Sequence, residues 1–83
     1  MKKIAVNKPV AITAITFNNQ KDLKEIPKRM EFEGESYTFK DGLQYLIQRG
    51  SHITRMFDMS DGRAEYRLRT DETNVWTLVT ITQ

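Results

Sequence analysis

Asp41-Gly42-Leu43-Gln44-Tyr45-Leu46-Ile47-Gln48-Arg49-Gly50 is the stretch on which the fold turns. Leu43, Leu46 and Ile47 recur at the spacing that gathers side chains on one stripe of a helix, with Gln44, Gln48 and Arg49 elsewhere. Asp41 stands where an N-cap stands, and Gln44, three positions on, completes a capping box. Arg49 suits the negative end of a helix dipole, and Gly50 supplies the left-handed residue that stops many helices. The reading is one short helix, too short to persist alone in water and therefore laid against a sheet.

On its N-terminal side the pattern changes period. Met30 and Phe32 alternate with Glu31 and Glu33, and Tyr37 and Phe39 alternate with Thr38 and Lys40. Period two puts the four apolar side chains on one face of a hairpin, with Gly34 supplying the positive φ of its turn. Val10 to Phe17 reads as the first strand, ended by Asn18-Asn19, with Val10 and Ile12 on one face and Ile15 and Phe17 on the other. Residues 18–27 read as a charged connection closed by Pro27, with Leu23 and Ile26 tucked beneath it, and the polar residues 1–8 are expected to fray.

On the C-terminal side the chain reads as a three-stranded meander. Ile53 to Met59 leads into the turn Ser60-Asp61-Gly62; Ala64, Tyr66 and Leu68 then alternate with Glu65, Arg67 and Arg69. Asp71-Glu72-Thr73-Asn74 makes the next turn before a last strand, Val75 to Ile81. That strand carries Trp76 and Leu78 on one face and Val75, Val79 and Ile81 on the other. The expected order is β-β-β-α-β-β-β, an α+β fold. It is a small, strongly curved antiparallel sheet or partly open barrel with one short helix, in a single domain spanning residues 1–83.

The chain has 83 residues, of which 39% are apolar, enough for a modest core and too many for a disordered segment. It has no cysteine, so disulfides and thiolate metal sites are excluded. The start Met1-Lys2-Lys3-Ile4-Ala5-Val6 is broken by Asn7-Lys8-Pro9, far short of a signal-peptide core. No apolar run approaches the roughly 20 residues that span a bilayer. The expectation is a soluble, cytoplasmic domain with no membrane association.

Catalytic chemistry finds little support. His52 is the only histidine, and it could serve as a general base oriented by Asp58 or Asp61. The same position also suits a loop histidine at a helix exit. Asp58 with Asp61, and Asp71 with Glu72, could hold a cation, but they lack the regular ligand ladder of an EF-hand. Aspartate in such turns also serves local hydrogen bonding. There is no nucleophile elbow and no glycine-rich phosphate loop. The expectation is no enzyme, with no catalytic residues, no metal and no cofactor.

The net charge is +2. Lysine supplies seven of the eight positive charges in residues 1–40, whereas arginine supplies all five in residues 41–83. Arg67 and Arg69 share a strand face, Arg63 lies at the adjoining turn, and Arg55 on the neighbouring strand can fall opposite Arg67. Such a cluster could grip phosphates, with Trp76 or Phe57 as a stacking surface. Interleaved with Asp58, Asp61, Glu65, Asp71 and Glu72, it equally fits a solvated face of cross-strand ion pairs. Strands apolar on both faces point instead to burial against another chain. The leading functional expectation is a non-enzymatic domain that binds another protein or itself as a homodimer. The alternative is a small nucleic-acid-binding module using Arg55, Arg63, Arg67 and Arg69.

Overall fold

The computed structural model describes residues 2–17, 25–71 and 73–83. Seven strands follow one another: β1 (Lys3–Phe17), β2 (Glu25–Phe32), β3 (Glu35–Thr38), β4 (Asp41–Arg49), β5 (His52–Ser60), β6 (Glu65–Thr70) and β7 (Trp76–Thr82). They form one antiparallel sheet in the order β3-β2-β1-β7-β6-β5-β4. The described residues include no helix, so none is long and apolar enough to cross a membrane.

The fold is therefore all-β, and the expected α+β class with its helix over residues 41–49 is overturned. Residues 41–49 pair along their whole length with β5, from Asp41 opposite Ser60 to Arg49 opposite His52. Gly50 is not a helix stop. It sits at φ +60° as the first residue of the two-residue turn Gly50-Ser51, where a hairpin of type II′ takes glycine. Gly42 is fitted to the strand packing. A Cβ there would lie 2.7 Å from the Asp58 carbonyl oxygen and would collide with the Met59 side chain, so any larger residue forces a local shift. In a helix the same glycine would only weaken the first turn.

The other elements follow from their patterns. Glu33 and Gly34 both take positive φ, 51° and 80°, as a type I′ turn requires, and the register sets Met30 opposite Tyr37. Residues 3–10 are the first half of β1 and pair with β7, while residues 11–17 pair with β2. A register shift between Ala5 and Lys8, with Asn7 at φ 53°, interrupts the first half. Pro27 lies within β2, buried and opposite Ile15, rather than closing a loop. Asn18, Asn19, Leu23 and Glu72, to which the sequence assigned turn or packing roles, lie outside the described residues.

The sheet folds back on itself. β3 and β6 stand four places apart in the strand order, roughly 19 Å on a flat sheet. Yet the rings of Tyr37 and Tyr66 lie 5.5 Å apart, as do those of Phe39 and Tyr66. Adjacent residues at the corner bind opposite flanks: Phe39 N–H donates to the Lys28 carbonyl at 2.8 Å, and Lys40 N–H to the Ser60 carbonyl at 2.7 Å. The enclosed core joins Met30, Phe39, Phe57, Met59, Tyr66, Leu68 and Leu78, ringed by half-buried groups including Val10, Ile12 and Trp76. Ile81 packs against this core beside Trp76 and Leu78 rather than on the opposite face. A register shift between Arg67 and Leu68 leaves Val79 as an extra residue on β7, which reverses the alternation beyond it.

Candidate functional site

β6 directs Tyr66, Leu68 and Thr70 into the core, and its other three residues, Glu65, Arg67 and Arg69, to the outer face. The ladder with β5 pairs Asp58 with Arg67 and Met56 with Arg69 on that outer face, but Arg55 with the buried Thr70. Arg55 therefore lies on the opposite side of the sheet from Arg67 and Arg69. Arg67 is held by a two-pronged contact, Nε to Asp58 Oδ1 at 2.9 Å and Nη2 to Asp58 Oδ2 at 3.2 Å. These hydrogen bonds, and then the carboxylate charge, raise its pKa further above the ordinary arginine value. Arg63 lies in the β5–β6 turn, where its N–H donates to Asp61 Oδ1 at 2.8 Å. Of the four arginines singled out by the sequence, the sheet brings only Arg67 and Arg69 onto a common face.

Asp61 and Asp71, the described aspartates of the two turns, are occupied locally. Asp61 Oδ1 also accepts from the Ala64 N–H at 2.9 Å, and its Oδ2 accepts from the Tyr66 hydroxyl at 2.7 Å. Burial pushes the Asp61 pKa up, but the bonds from Ala64, Tyr66 and Arg63 outweigh it and leave the carboxyl below its usual range. Tyr66 is shifted strongly upward, by burial first and by its bond to Asp61 second. Asp71 accepts from the Thr73 hydroxyl at 2.5 Å and the Thr73 N–H at 2.9 Å, which lower its pKa. No group of three or more potential metal ligands occurs among the described residues. His52 and Asp58 occupy opposite ends of β5, about 20 Å apart at the usual rise, and Asp61 lies beyond Asp58. The structure does not bring the histidine to either carboxylate.

The most exposed apolar surface lies on the β4–β5 hairpin. Outward from the sheet, β4 presents Leu43, Tyr45 and Ile47; on the other face it presents Leu46, opposite Arg55 and diagonal to Ile53 of β5. Leu43 is 72% exposed and Leu46 56%. On the outer face, Ile47, Thr54, Met56, Arg69 and Val79 help line a shallow groove of about 330 Å³. Among the described strands β4 pairs with β5 alone, so its other edge carries no strand among the described residues. Between Asp41 and Arg49 this edge carries no charge, no proline and no register shift. At the other end of the order, β3 has four residues and opens on Glu35, beside Glu33 in the turn. Sequence reasoning missed the β4 edge because it assigned these residues to a helix. The alternation of Leu43, Tyr45 and Ile47 is the signal that reveals it.

Compared with protein families, curated proteins and solved structures, the chain matches none.

Proposed function

We propose that this chain is a non-enzymatic association domain whose working surface is the β4–β5 hairpin, entered along the free edge of β4. The observation that carries this reading is the contrast between the two edges of the sheet. Natural sheets protect their edges with short strands, charges, prolines or bulges. β3 is short and acidic, whereas β4 is nine residues long and uncharged over residues 42–48. An unprotected edge offers a row of backbone donors and acceptors to an added strand, and side chains on either face then set specificity. Leu43, Leu46, Ile47 and Ile53 are all more than 40% exposed, and fully burying such a side chain stabilises by about 1.5–3 kcal/mol. Several together are enough to offset a large part of the roughly 4–15 kcal/mol of freedom lost on association.

The nucleic-acid alternative calls for guanidinium groups converging on one face. The β5–β6 register separates Arg55 from Arg67, and Asp58 already occupies the Arg67 fork. Association is therefore the reading better supported.

A photoreactive residue at Leu43, compared with one at Glu65 on the outer face of β6, tests it in cells producing the chain. The reading expects a discrete covalent adduct from position 43 and none from position 65. Absence of an adduct at 43, or equal labelling at both positions, contradicts it.

A further inference from the structure

We propose that the occupant of the β4 edge is a second copy of this chain, paired antiparallel with the first about a two-fold axis beside Tyr45. This rests on the association reading and commits it to one partner.

The backbone fixes which groups are on offer. The β4–β5 ladder closes with Arg49 opposite His52 across Gly50-Ser51. A pair so close to its turn can be laddered only by exchanging both of its own backbone bonds. Bonding residues alternate along an antiparallel strand, so Ile47, Tyr45, Leu43 and Asp41 also bond to β5. Gly42, Gln44, Leu46 and Gln48 then turn their N–H and C=O groups to the free edge. Two-fold pairing about Tyr45 sets Gly42 of one copy opposite Gln48 of the other, and Gln44 opposite Leu46. Every free-edge residue meets a free-edge residue.

The side chains agree with that register. On the outer face Asp41 of each copy meets Arg49 of the other, Leu43 meets Ile47, and Tyr45 meets Tyr45. The only two charges on β4 have opposite signs and stand equally far from Tyr45, so both are matched across the axis. Moving the register by two residues sets Asp41 against Ile47 or Arg49 against Leu43. Parallel pairing sets like charges side by side, which is unfavourable. β4 is thus complementary to itself in one register, and that register covers Leu43, Tyr45 and Ile47, the exposed apolar row of its outer face.

Sedimentation equilibrium of the purified full chain tests this, with charge reversals at the strand ends. The wild type is expected to form a dimer at high micromolar concentration. Asp41→Arg alone, with positive charge at both ends of β4, and Arg49→Asp alone, with negative charge at both, are each expected to weaken self-association roughly tenfold or more. An equimolar mixture of the two variants, or both changes in one chain, restores it. The two positions lie at opposite ends of a nine-residue strand, roughly 26 Å apart, so no contact within one chain can produce that rescue.

Cysteine placement tests the register separately, since the chain has no cysteine of its own. Tyr45→Cys is expected to form a disulfide-linked dimer under mild oxidation, its two Cα atoms being about 4.5 Å apart across the axis. Leu43→Cys is expected not to, because the two copies of that position are offset by four residues, about 13 Å. A wild type that stays monomeric at every concentration, a failed rescue, or equal crosslinking at 43 and 45 overturns the two-fold dimer. If the chain is monomeric while the Leu43 photoadduct contains a different protein, the dimer falls and the association reading stands. If there is no adduct either, both fall.

Discussion

Thr70 is 1% exposed, and its hydroxyl has no hydrogen-bond partner among the described residues. A buried polar group left unpaired costs about 1–3 kcal/mol, so Thr70→Val, close in shape, is expected to stabilise the fold by about 1 kcal/mol in urea denaturation. Gly42 behaves in the opposite sense. A methyl group there meets the Asp58 carbonyl and Met59, and Gly42→Ala is expected to cost about 1–3 kcal/mol in the same measurement. The Asp61–Tyr66 pair sets a pH dependence. The folded pKa of Asp61 lies below its unfolded value, so its contribution is fully present above about pH 4 and is lost as pH falls through the folded value. Asp71 acts in the same sense. Tyr66 has the reverse sign: its folded pKa is raised, so its contribution holds below about pH 10 and is lost at more alkaline pH. Tyr66→Phe removes one of the bonds that hold Asp61 low, and is expected to shrink the loss of stability on acidification.

Proline substitution separates the two sides of β4. Ile47 bonds to β5 and Leu46 to the free edge, so Ile47→Pro breaks the ladder whereas Leu46→Pro spares it. Ile47→Pro is expected to be the less stable by about 1–2 kcal/mol in thermal or urea unfolding. In a helix the two prolines would do similar harm. The β2–β3 hairpin was legible in the sequence because Met30, Phe32, Tyr37 and Phe39 alternate without exception and Gly34 marks the turn. β4 was not, because Leu46 breaks its alternation and happens to complete a helical stripe with Leu43 and Ile47. Asp41 and Gln44 added a capping box by coincidence of spacing, whereas the structure pairs residues 41–49 with β5, a non-local contact that local spacing does not report. The side on which Ile81 falls depends on a bulge at Val79, and the separation of Arg55 from Arg67 depends on strand register. Neither is encoded in local pattern. The two-faced character of β1 could be read: Val10 and Ile12 pack on the core while Ile15 is exposed.

At the scale of the whole molecule a small core carries the stability. A chain of this length is worth roughly 4–8 kcal/mol. Phe57 is fully buried and its ring centre lies 5.1 Å from that of Trp76, so Phe57→Ala is expected to cost about 3–5 kcal/mol and leave the chain close to unfolded by circular dichroism. The core closes because the sheet curls until β3 and β4 meet at Phe39 and Lys40, yet closure leaves β4 with one side unpaired among the described strands. Amide hydrogen exchange along residues 42–49, followed by NMR first in dilute and then in concentrated solution, tests this most directly. The account predicts alternate protection in dilute solution: Leu43, Tyr45, Ile47 and Arg49 slow, Gly42, Gln44, Leu46 and Gln48 fast. The fast set then slows as concentration rises. Unbroken protection from Tyr45 to Arg49 would indicate a helix, and protection of both sets in dilute solution a covered edge; either result would contradict the account.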